Sequence, residues 1–231
     1  MQRVRKDTLL YNETCFAARA LVRIFLDLYE KHEQGLIAES LNPADVLSAL
    51  QLFTDHMEES LELLRIQPIF KRHNDNFDRI LSCLSHLLFL VTKLLKNPNY
   101  DRTLARQLLN RLMKIDPRNS SGESLLHLAA SRDNTIKSSN YFDEPHGNYF
   151  PSCAVTQLLI ECGNADVGAL DHRHSTPLHT ASRSKNYTAE LVELLLSWSG
   201  HIDQVNLDGE RPANMLLNLP ECTIYPVQHI R

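Results

Sequence analysis

Two histidines in similar surroundings are the residues of this sequence whose chemistry most needs an explanation. His127 lies in the stretch SSGESLLHLAAS, and His179 lies in a near repeat of it, STPLHTAS, 52 positions further along (179 − 127). A histidine can act as a general base, a metal ligand or a neutral hydrogen-bonding group. Because the same short phrase occurs twice, a structural role in a repeated unit is favoured over catalysis.

A metal site is the second chemistry to weigh. His146, Cys153, Cys162 and His172 lie in one region of the chain and are all residue types that bind zinc. Zinc sites usually combine two closely spaced pairs of ligands, whereas these intervals are long and irregular. A metal-dependent hydrolase is therefore the disfavoured alternative, and neither a metal nor a cofactor is predicted.

Other catalytic patterns are missing from the sequence. It contains no glycine-bounded serine or cysteine elbow and no glycine-rich phosphate loop. The acids in 27–31 and 57–59 fall on helix faces opposite the leucine stripes, where solvated charge is expected. We therefore predict that the chain is not an enzyme.

The composition limits the partners and the compartment. A formal net charge of −4 offers no basic field for nucleic acid, and no uninterrupted apolar block indicates a signal peptide or a membrane span. The five cysteines are scattered, as is typical of reduced thiols. The expectation is a protein of the cytoplasm or the nucleus that binds neither nucleic acid nor membrane.

Long amphipathic helices are predicted for the first half of the chain, and the composition favours an all-α fold. The first helix is predicted between Asn12 and Gly35. Its apolar stripe is predicted at spacings of four, three and four residues: Ala17, Leu21, Ile24 and Leu28.

Three more helices follow with short connections. The second is predicted to begin at Pro43 after the cap Asn42, and the third at Asp75 or Asn76. The fourth ends where Asp116-Pro117 breaks the chain. Short connections predict antiparallel neighbours, so residues 1–116 are interpreted as helical hairpins of a tetratricopeptide-like kind.

From Asn119 onward the repeat is shorter and resembles the ankyrin repeat, whose period is about 33 residues around a T-P-L-H-x-A core. The wider spacing of the two histidines predicts an insertion at 131–151, with Phe150 folding back onto the repeat. Residues 117–219 are thus predicted to hold two ankyrin repeats and a partial third. In each complete repeat the histidine is expected to bond backbone across the turn.

Ankyrin hairpin tips project from one edge of a repeat stack and suit protein contacts. The candidate partner-binding residues are Asp171, His172, Arg173, His174 and Asp208. Solvated turns without a partner are the alternative for each of them. The apolar stretch 191–198, LVELLLSW, is one surface through which the chain could pair with itself as a homodimer.

The order of these parts resembles the C-terminal half of the Fem (feminization) family. The resemblance rests on long helical hairpins followed by KIDPRNSSGESLLHLAAS, YFPSCAVTQLLIECGNADV, STPLHTAS and GHIDQVNLDGERPA. Members of that family are ankyrin-repeat substrate receptors of cullin-2 RING ubiquitin ligases. The resemblance therefore implies an all-α repeat protein that holds partners and has no catalytic residue of its own.

The resemblance also implies partners for the complete receptor. These are substrates with C-terminal degrons, elongin B and C, and cullin-2. The family's longer N-terminal ankyrin array and its elongin-binding box are expected to be absent from this chain, with 220–231 leading toward the box. The alternative hypothesis is a free-standing adaptor or dimerisation module with no ligase role.

Overall fold

The computed structural model describes residues 11–66, 71–136, 148–183, 185–198 and 201–219. Over these ranges the chain is helical and contains no β-strand, which confirms the all-α prediction. The helices are α1 (Asn12–Glu33), α2 (Pro43–Ile66), α3 (Lys71–Leu94), α4 (Arg102–Ile115), α5 (Leu125–Ala129), α6 (Cys153–Gly163), α7 (Pro177–Ser182), α8 (Ala189–Ser197) and α9 (Pro212–Leu217).

The chain forms two compact units. The described part of the first unit runs through α1 to α4 up to Ser120 and includes Ile136, and that of the second contains α5 to α9. The sequence-predicted domain boundaries are close to this division and stay a prediction.

Two layers of parallel helices make up the first unit. Rings at both ends of α1 meet rings of α3, Tyr11 with His73 (centroids 5.9 Å apart) and Tyr29 with Phe89 (5.8 Å). These contacts show that α1 and α3 run in the same direction. Helices α2 and α4 pack together as well, and their last turns line one shallow groove, so they too run in parallel.

Helix α3 lies at the centre of this unit because it packs against both α1 and α2. From Leu81 to Val91 nearly every side chain is buried, as the wide apolar stripe predicted. The prediction that consecutive helices are the main neighbours holds for α2 and α3. It is wrong for α1 and α4, whose closest packing is on α3 and α2 respectively.

Local signals place the helix ends of the first unit. Asn42 Oδ1 accepts a hydrogen bond from Ala44 N (3.1 Å) just before α2 begins at Pro43, as predicted. Asp101 caps α4 by accepting from the backbone N–H of Thr103 (3.0 Å) and Leu104 (2.9 Å). Asp116 then adopts a left-handed conformation (φ 45°) and ends α4.

The predicted start of α3 is wrong by one turn, since the helix begins at Lys71 rather than at Asp75 or Asn76. Residues 71–74 are all polar, so apolar periodicity gives no sign of them. The ring contact of His73 with Tyr11 packs this first turn against the start of α1.

The predicted buried stripe of α1 is wrong. Ala17, Ile24 and Leu28 are exposed, and Leu21 is only half-buried. The side chains that face α3 are Cys15, Ala18, Val22, Phe25 and Leu26. Helix α1 is apolar on two faces, and a spacing of four and three residues cannot say which face a neighbour covers.

The second unit is a stack of short helix pairs. Helix α5 packs on α6 and α7 on α8, and the pairs stack through α5 with α7 and α6 with α8. Helix α9 packs on α7, where a third repeat would continue the stack. These are the ankyrin repeats that the sequence predicts.

The insertion lies between the two helices of the first repeat. Asn134 precedes the cap residue Ser152 by 18 positions, whereas the matching Asn186 precedes Thr188 by two. The chain returns to the repeat where Phe150 is buried and Ser152 N donates to Ala129 O (2.9 Å), which confirms the inward position of Phe150. Residues 137–147 of the insertion lie outside the described residues.

The stretch 191–198 is not an open apolar patch. Leu191, Val192 and Leu195 are buried within the second unit, and the large side chain left exposed there is Trp198 (46%). Helix α7 of the same repeat and the matching helix α6 of the preceding repeat both pack against α8. Self-association through this stretch loses its main support, and homodimer formation itself stays a prediction.

The two faces of α1 can be separated by substitution. Replacing Leu26, which is fully buried, by Ala is expected to lower the free energy of unfolding by about 2–5 kcal/mol because a cavity remains. Replacing Ile24, which is 56% exposed, by Ala is expected to cost less than about 0.5 kcal/mol. Urea unfolding followed by circular dichroism measures both, and equal losses would contradict the assignment of faces.

Candidate partner-binding surface

Each of the two repeated histidines closes a capping box at the start of a short helix. His127 is at the third position of α5 and His179 at the third position of α7, after the cap residues Ser124 and Thr176. In each box the imidazole Nδ1 accepts the backbone N–H of the cap residue, at 3.2 Å for Ser124 and 3.0 Å for Thr176.

The other ring nitrogen reaches the next repeat. His127 Nε2 donates to the carbonyl of Ser175 (2.9 Å), and His179 Nε2 donates to the carbonyl of Glu210 (3.3 Å). Ser175 and Glu210 hold the same position in successive hairpins, 35 residues apart (210 − 175). Each imidazole therefore joins the helix cap of one repeat to the hairpin of the next.

This bonding pattern answers the question of catalysis. Both histidine side chains are fully buried, and both nitrogens of each ring are engaged by backbone groups. Because Nδ1 faces a backbone donor, the geometry places the single ring proton on Nε2 and keeps the imidazole neutral. A ring held in this way has no nitrogen left for a substrate or a metal.

The ring of His179 is expected to make the repeat stack sensitive to acid. Burial lowers the pKa of His179 below its ordinary value of 6.5, and hydrogen bonds to the backbone of Glu210 and Gln204 act in the opposite direction. The unfolded chain therefore binds the proton more readily than the folded chain does. The stability that the neutral ring contributes is complete above about pH 6.5, and it is lost as the pH falls toward the pKa of His179 in the folded state.

We expect the free energy of unfolding to decrease between pH 7 and pH 5.5, measured by urea titration at several pH values. The variant His179→Gln is less stable at all pH values and has a shallower dependence in this window, because the titrating ring is gone. Parallel curves for the two proteins would contradict the role of His179.

Beyond the histidines, one carboxylate or amide shapes each hairpin turn. Asp171 Oδ1 accepts the N–H groups of Arg173 (2.8 Å) and Ser175 (2.7 Å). Asn206 Oδ1 accepts those of Asp208 (3.1 Å) and Glu210 (2.9 Å) in the matching turn. Such side-chain bonds to the backbone fix a turn without a β-ladder.

Successive tips are also joined by backbone hydrogen bonds. His172 N donates to Ser121 O (3.0 Å), and Leu207 N donates to Arg173 O (2.8 Å). The two bonds link the same positions of neighbouring hairpins. The tips are thus a ladder with a fixed spacing, and their exposed side chains project from a backbone that does not need to order itself when a partner binds.

A left-handed residue completes each tip. Gly122 (φ +78°), His174 (φ 58°) and Gly209 (φ +77°) stand at equivalent positions. Glycine adopts this conformation without strain, while His174 carries a Cβ there. Gly122 has a further constraint, since a Cβ placed on it would come within 2.5 Å of the ring of His172.

The matched substitutions Gly122→Ala and Gly209→Ala separate strain from crowding. Both place alanine in a left-handed turn, which costs about 1–2 kcal/mol. Only Gly122→Ala also forces the His172 ring and backbone to move, because nothing lies within 4 Å of the corresponding atom at Gly209. We expect a clearly larger loss of unfolding free energy for Gly122→Ala in urea titrations, and similar losses would contradict a tight ladder.

The structure brings the sequence-predicted site residues together on these tips. His172, Arg173, His174 and Asp208 are exposed, and Asp171 is half-buried with one oxygen used inside its turn. Arg173 Nη1 donates to Asp208 Oδ2 (3.1 Å), so an ion pair spans the two hairpins. An exposed pair of this kind contributes at most about 1 kcal/mol and leaves both groups accessible to a partner.

Of three exposed apolar residues at the tips, Leu170 and Val205 were not predicted from the sequence, whereas Leu207 belongs to a predicted tip. Leu170 (40% exposed) and Val205 (42%) occupy the position before each turn residue, and Leu207 (66%) stands on the second tip. The same 35-residue step that relates Asp171 to Asn206 relates Leu170 to Val205, and it is the signal that could have found them. The surface therefore pairs charge with apolar area, as protein contact surfaces do.

Among the described residues, no group of three or more His, Cys, Asp or Glu side chains is placed to hold a metal ion. Of the four residues considered as zinc ligands, His146 lies outside the described ranges, while Cys153 and Cys162 are free thiols. In the same part of the chain, no helix is long and apolar enough to cross a bilayer.

Comparison with known proteins agrees with this geometry. The family described as "Ankyrin repeat" matches residues 173–207, which run from the tip that carries Arg173 to the tip that carries Leu207. The fold and the match together define an ankyrin-repeat protein, a class whose stacked repeats form extended surfaces for protein contacts.

The relatives extend the match to nearly the whole chain. Zebrafish protein fem-1 homolog A is 30% identical over 91% of this chain and 32% of its own length, and human fem-1 homolog A is 30% identical over 78% and 25%. Protein fem-1 homolog C of Xenopus laevis is 24% identical over 94% and 33%. The resemblance to the Fem family is confirmed as a similarity over most of this chain, and the chain spans a quarter to a third of the length of these relatives.

Proposed function

We propose that this chain is a non-catalytic interaction segment of a substrate receptor of a cullin-2 RING ubiquitin ligase. The observation that carries the proposal is the ladder of hairpin tips. Arg173 and Asp208 project side by side from turns that are tied to each other and to the buried histidines. The ligase role is added by the family resemblance, which implies it for the complete receptor.

A receptor of this kind acts by positioning one bound protein next to another. Ubiquitin transfer depends on holding a substrate near the ligase, which raises the effective concentration of the reacting groups without a catalytic residue in the receptor. A repeat stack suits this task because each repeat packs on its neighbours and keeps the bound parts at a set distance. The proposed partners are degron-bearing substrates, elongin B and C, and cullin-2, in the cytoplasm or the nucleus.

The proposed contact residues are Asp171, His172, Arg173, His174 and Asp208. Their charges are mixed, and the exposed leucine and valine beside them add apolar area. This combination favours a protein partner over a small anion or a nucleic acid. Asp171 also shapes its turn, so its substitution would disturb the neighbouring contacts as well.

The alternative function is an adaptor or a dimerisation module that works without a ligase. The same tips would then bind a partner, but no ubiquitin-ligase subunit would be recovered. The identity of the captured proteins therefore separates the two hypotheses.

A photo-crosslinking residue at position 172 tests the contact surface. When the full-length protein is expressed in cells, it is expected to form covalent products through position 172, because His172 is exposed on the tip. The control position is Glu190, which is exposed on α8 in the same unit. Equal crosslinking from the two positions would contradict a contact surface on the tips.

The same preparation tests the ligase role. We expect cullin-2 and elongin C to co-precipitate with the protein, and the products crosslinked at position 172 to carry ubiquitin when the proteasome is inhibited. Crosslinked partners without any ligase subunit would support the adaptor instead.

A further inference from the structure

One carboxylate of α3 holds the segment that follows α4. Asp78 Oδ1 accepts the backbone N–H of Ser120 (2.8 Å), and Asp78 Oδ2 accepts the hydroxyl group of the same serine. Both residues belong to the first unit, in which Ser120 is exposed and Asp78 is half-buried. A single acidic side chain thus binds both the backbone and the side chain of Ser120. The function proposed above makes no use of this contact.

This contact stands where the ladder of tips would otherwise continue. Ser120 holds the position of His172 and Leu207, by the steps of 52 (172 − 120) and 35 (207 − 172) residues that relate the repeats. The backbone N–H of each of those two residues donates to a carbonyl of the preceding tip. Ser120 N donates to Asp78 instead. The carboxylate therefore takes the place of a preceding tip at this end of the ladder.

The tip formed by residues 119–123 is also bonded to the candidate contact surface. Ser121, the residue after Ser120, accepts the backbone N–H of His172 through its carbonyl (3.0 Å). Gly122 is packed as closely, since an added Cβ would meet the ring of His172. A displacement of Ser120 therefore acts on the backbone of His172 through the residue next to it in the chain.

The sequence around Ser120 is that of an acceptor for an acid-directed protein kinase. Such kinases select a serine or threonine that has a carboxylate three positions later, because basic groups of the kinase bind that carboxylate. Glu123 lies at this distance from Ser120. No other serine or threonine among the 231 residues has an aspartate or a glutamate three positions after it. The pattern therefore singles out one hydroxyl group, which is on an exposed residue.

We propose that Ser120 is a phosphorylation site for an acid-directed kinase and that its phosphate releases the 119–123 tip from Asp78. The kinase binds this tip as an extended segment, so that Glu123, half-buried in the folded tip, becomes accessible. In the transfer, the bond between the γ-phosphorus of ATP and its bridging oxygen breaks, and a bond from Ser120 Oγ to that phosphorus forms. The hydroxyl proton goes to a base of the kinase, and ADP leaves.

The phosphorylated serine does not keep the contact with Asp78. The phosphate has lost the hydroxyl proton that Asp78 accepts, and it carries a charge of about −1.5 to −2 next to that carboxylate. Arg118, the nearest basic residue along the chain, already donates to Asp116 (2.8 Å). Repulsion therefore moves the 119–123 tip away from α3. Weaker partner binding at the tips is the consequence that rests on the function proposed above, whereas the phosphorylation site does not depend on it.

Phosphorylation of the whole chain tests the site. The protein is incubated with casein kinase 2 and ATP, and the phosphate is located by mass spectrometry. We expect one phosphate on Ser120, its loss in Ser120→Ala, and its retention in the matched variant Ser121→Ala. A phosphate on a synthetic peptide of residues 116–125 but not on the folded chain would overturn the proposal, and so would the absence of phosphate from both.

Amide hydrogen exchange of the phosphorylated and unmodified chains, measured by NMR spectroscopy, tests the release. We expect the N–H of His172 to exchange about tenfold faster after phosphorylation, because its acceptor Ser121 is no longer held in place. The matched control is the N–H of Leu207, which makes the same bond one repeat later and is expected to keep its rate. An unchanged rate at His172 would show that the tip stays in place and would refute the release.

The variant Asp78→Ala shows whether the effect passes through the carboxylate. This substitution alone is expected to speed exchange at His172 about tenfold, and phosphorylation is then expected to add little, because the two changes remove the same contact. A full additional effect of the phosphate would contradict release from Asp78. Circular dichroism checks that the variant is folded, and Asp78→Asn, which removes only the charge, replaces it in the same comparison if it is not.

Crosslinking at position 172 separates this inference from the proposed function. Reduced crosslinking of a partner by the phosphorylated protein supports both. Faster exchange at His172 in a protein that crosslinks no partner supports the phosphorylation site, and it contradicts the tips as a contact surface.

Discussion

The ankyrin unit depends on two neutral imidazoles buried between successive repeats. Each ring accepts a backbone N–H on one side and donates to a backbone carbonyl on the other, as His127 does between Ser124 and Ser175. A buried backbone group without a partner costs free energy comparable to a lost hydrogen bond, and these rings satisfy such groups at every junction. These contacts fix the positions of the hairpins, and with them the turn residues and the ladder of tips.

The consequence for binding is preorganisation. Tip residues such as Arg173 and Asp208 belong to loops, which are usually the most mobile parts of a protein. Here the backbone of each tip is bonded to the next, and Asp171 and Asn206 close the turns from within. A partner that binds such a surface does not have to supply the free energy of ordering it.

The first unit is held together by apolar packing instead, because its helices are long and apolar over wide faces. Helix α3 is covered by α1 and α2, whereas α1 keeps Phe16 and Ile24 in solvent. The two units thus differ in how they are held together: the first by broad apolar helix faces, and the second by buried hydrogen bonds between short repeats.

Sequence reasoning succeeded where a residue acts on its immediate neighbours. Pro43 after Asn42 predicts the start of α2, and Asp116-Pro117 predicts the end of α4, because caps and proline act within one turn. The structural role of His127 and His179 was also predictable, since a repeated motif implies a repeated contact. Reasoning failed for α1 and for the start of α3, where apolar periodicity is ambiguous or absent.

The amino-acid sequence by itself determined the all-α class, the ankyrin repeats, the place of the candidate residues on the hairpin tips and the insertion, because each depends on local chemistry or on an internal period. Only the tertiary structure decided which face of α1 is buried. It also decided which carbonyl each histidine reaches and that Asp78 holds Ser120. The physical reason is that these features join residues that are distant in the chain. Helical periodicity shows which residues share a face, but it does not show which neighbouring helix covers that face.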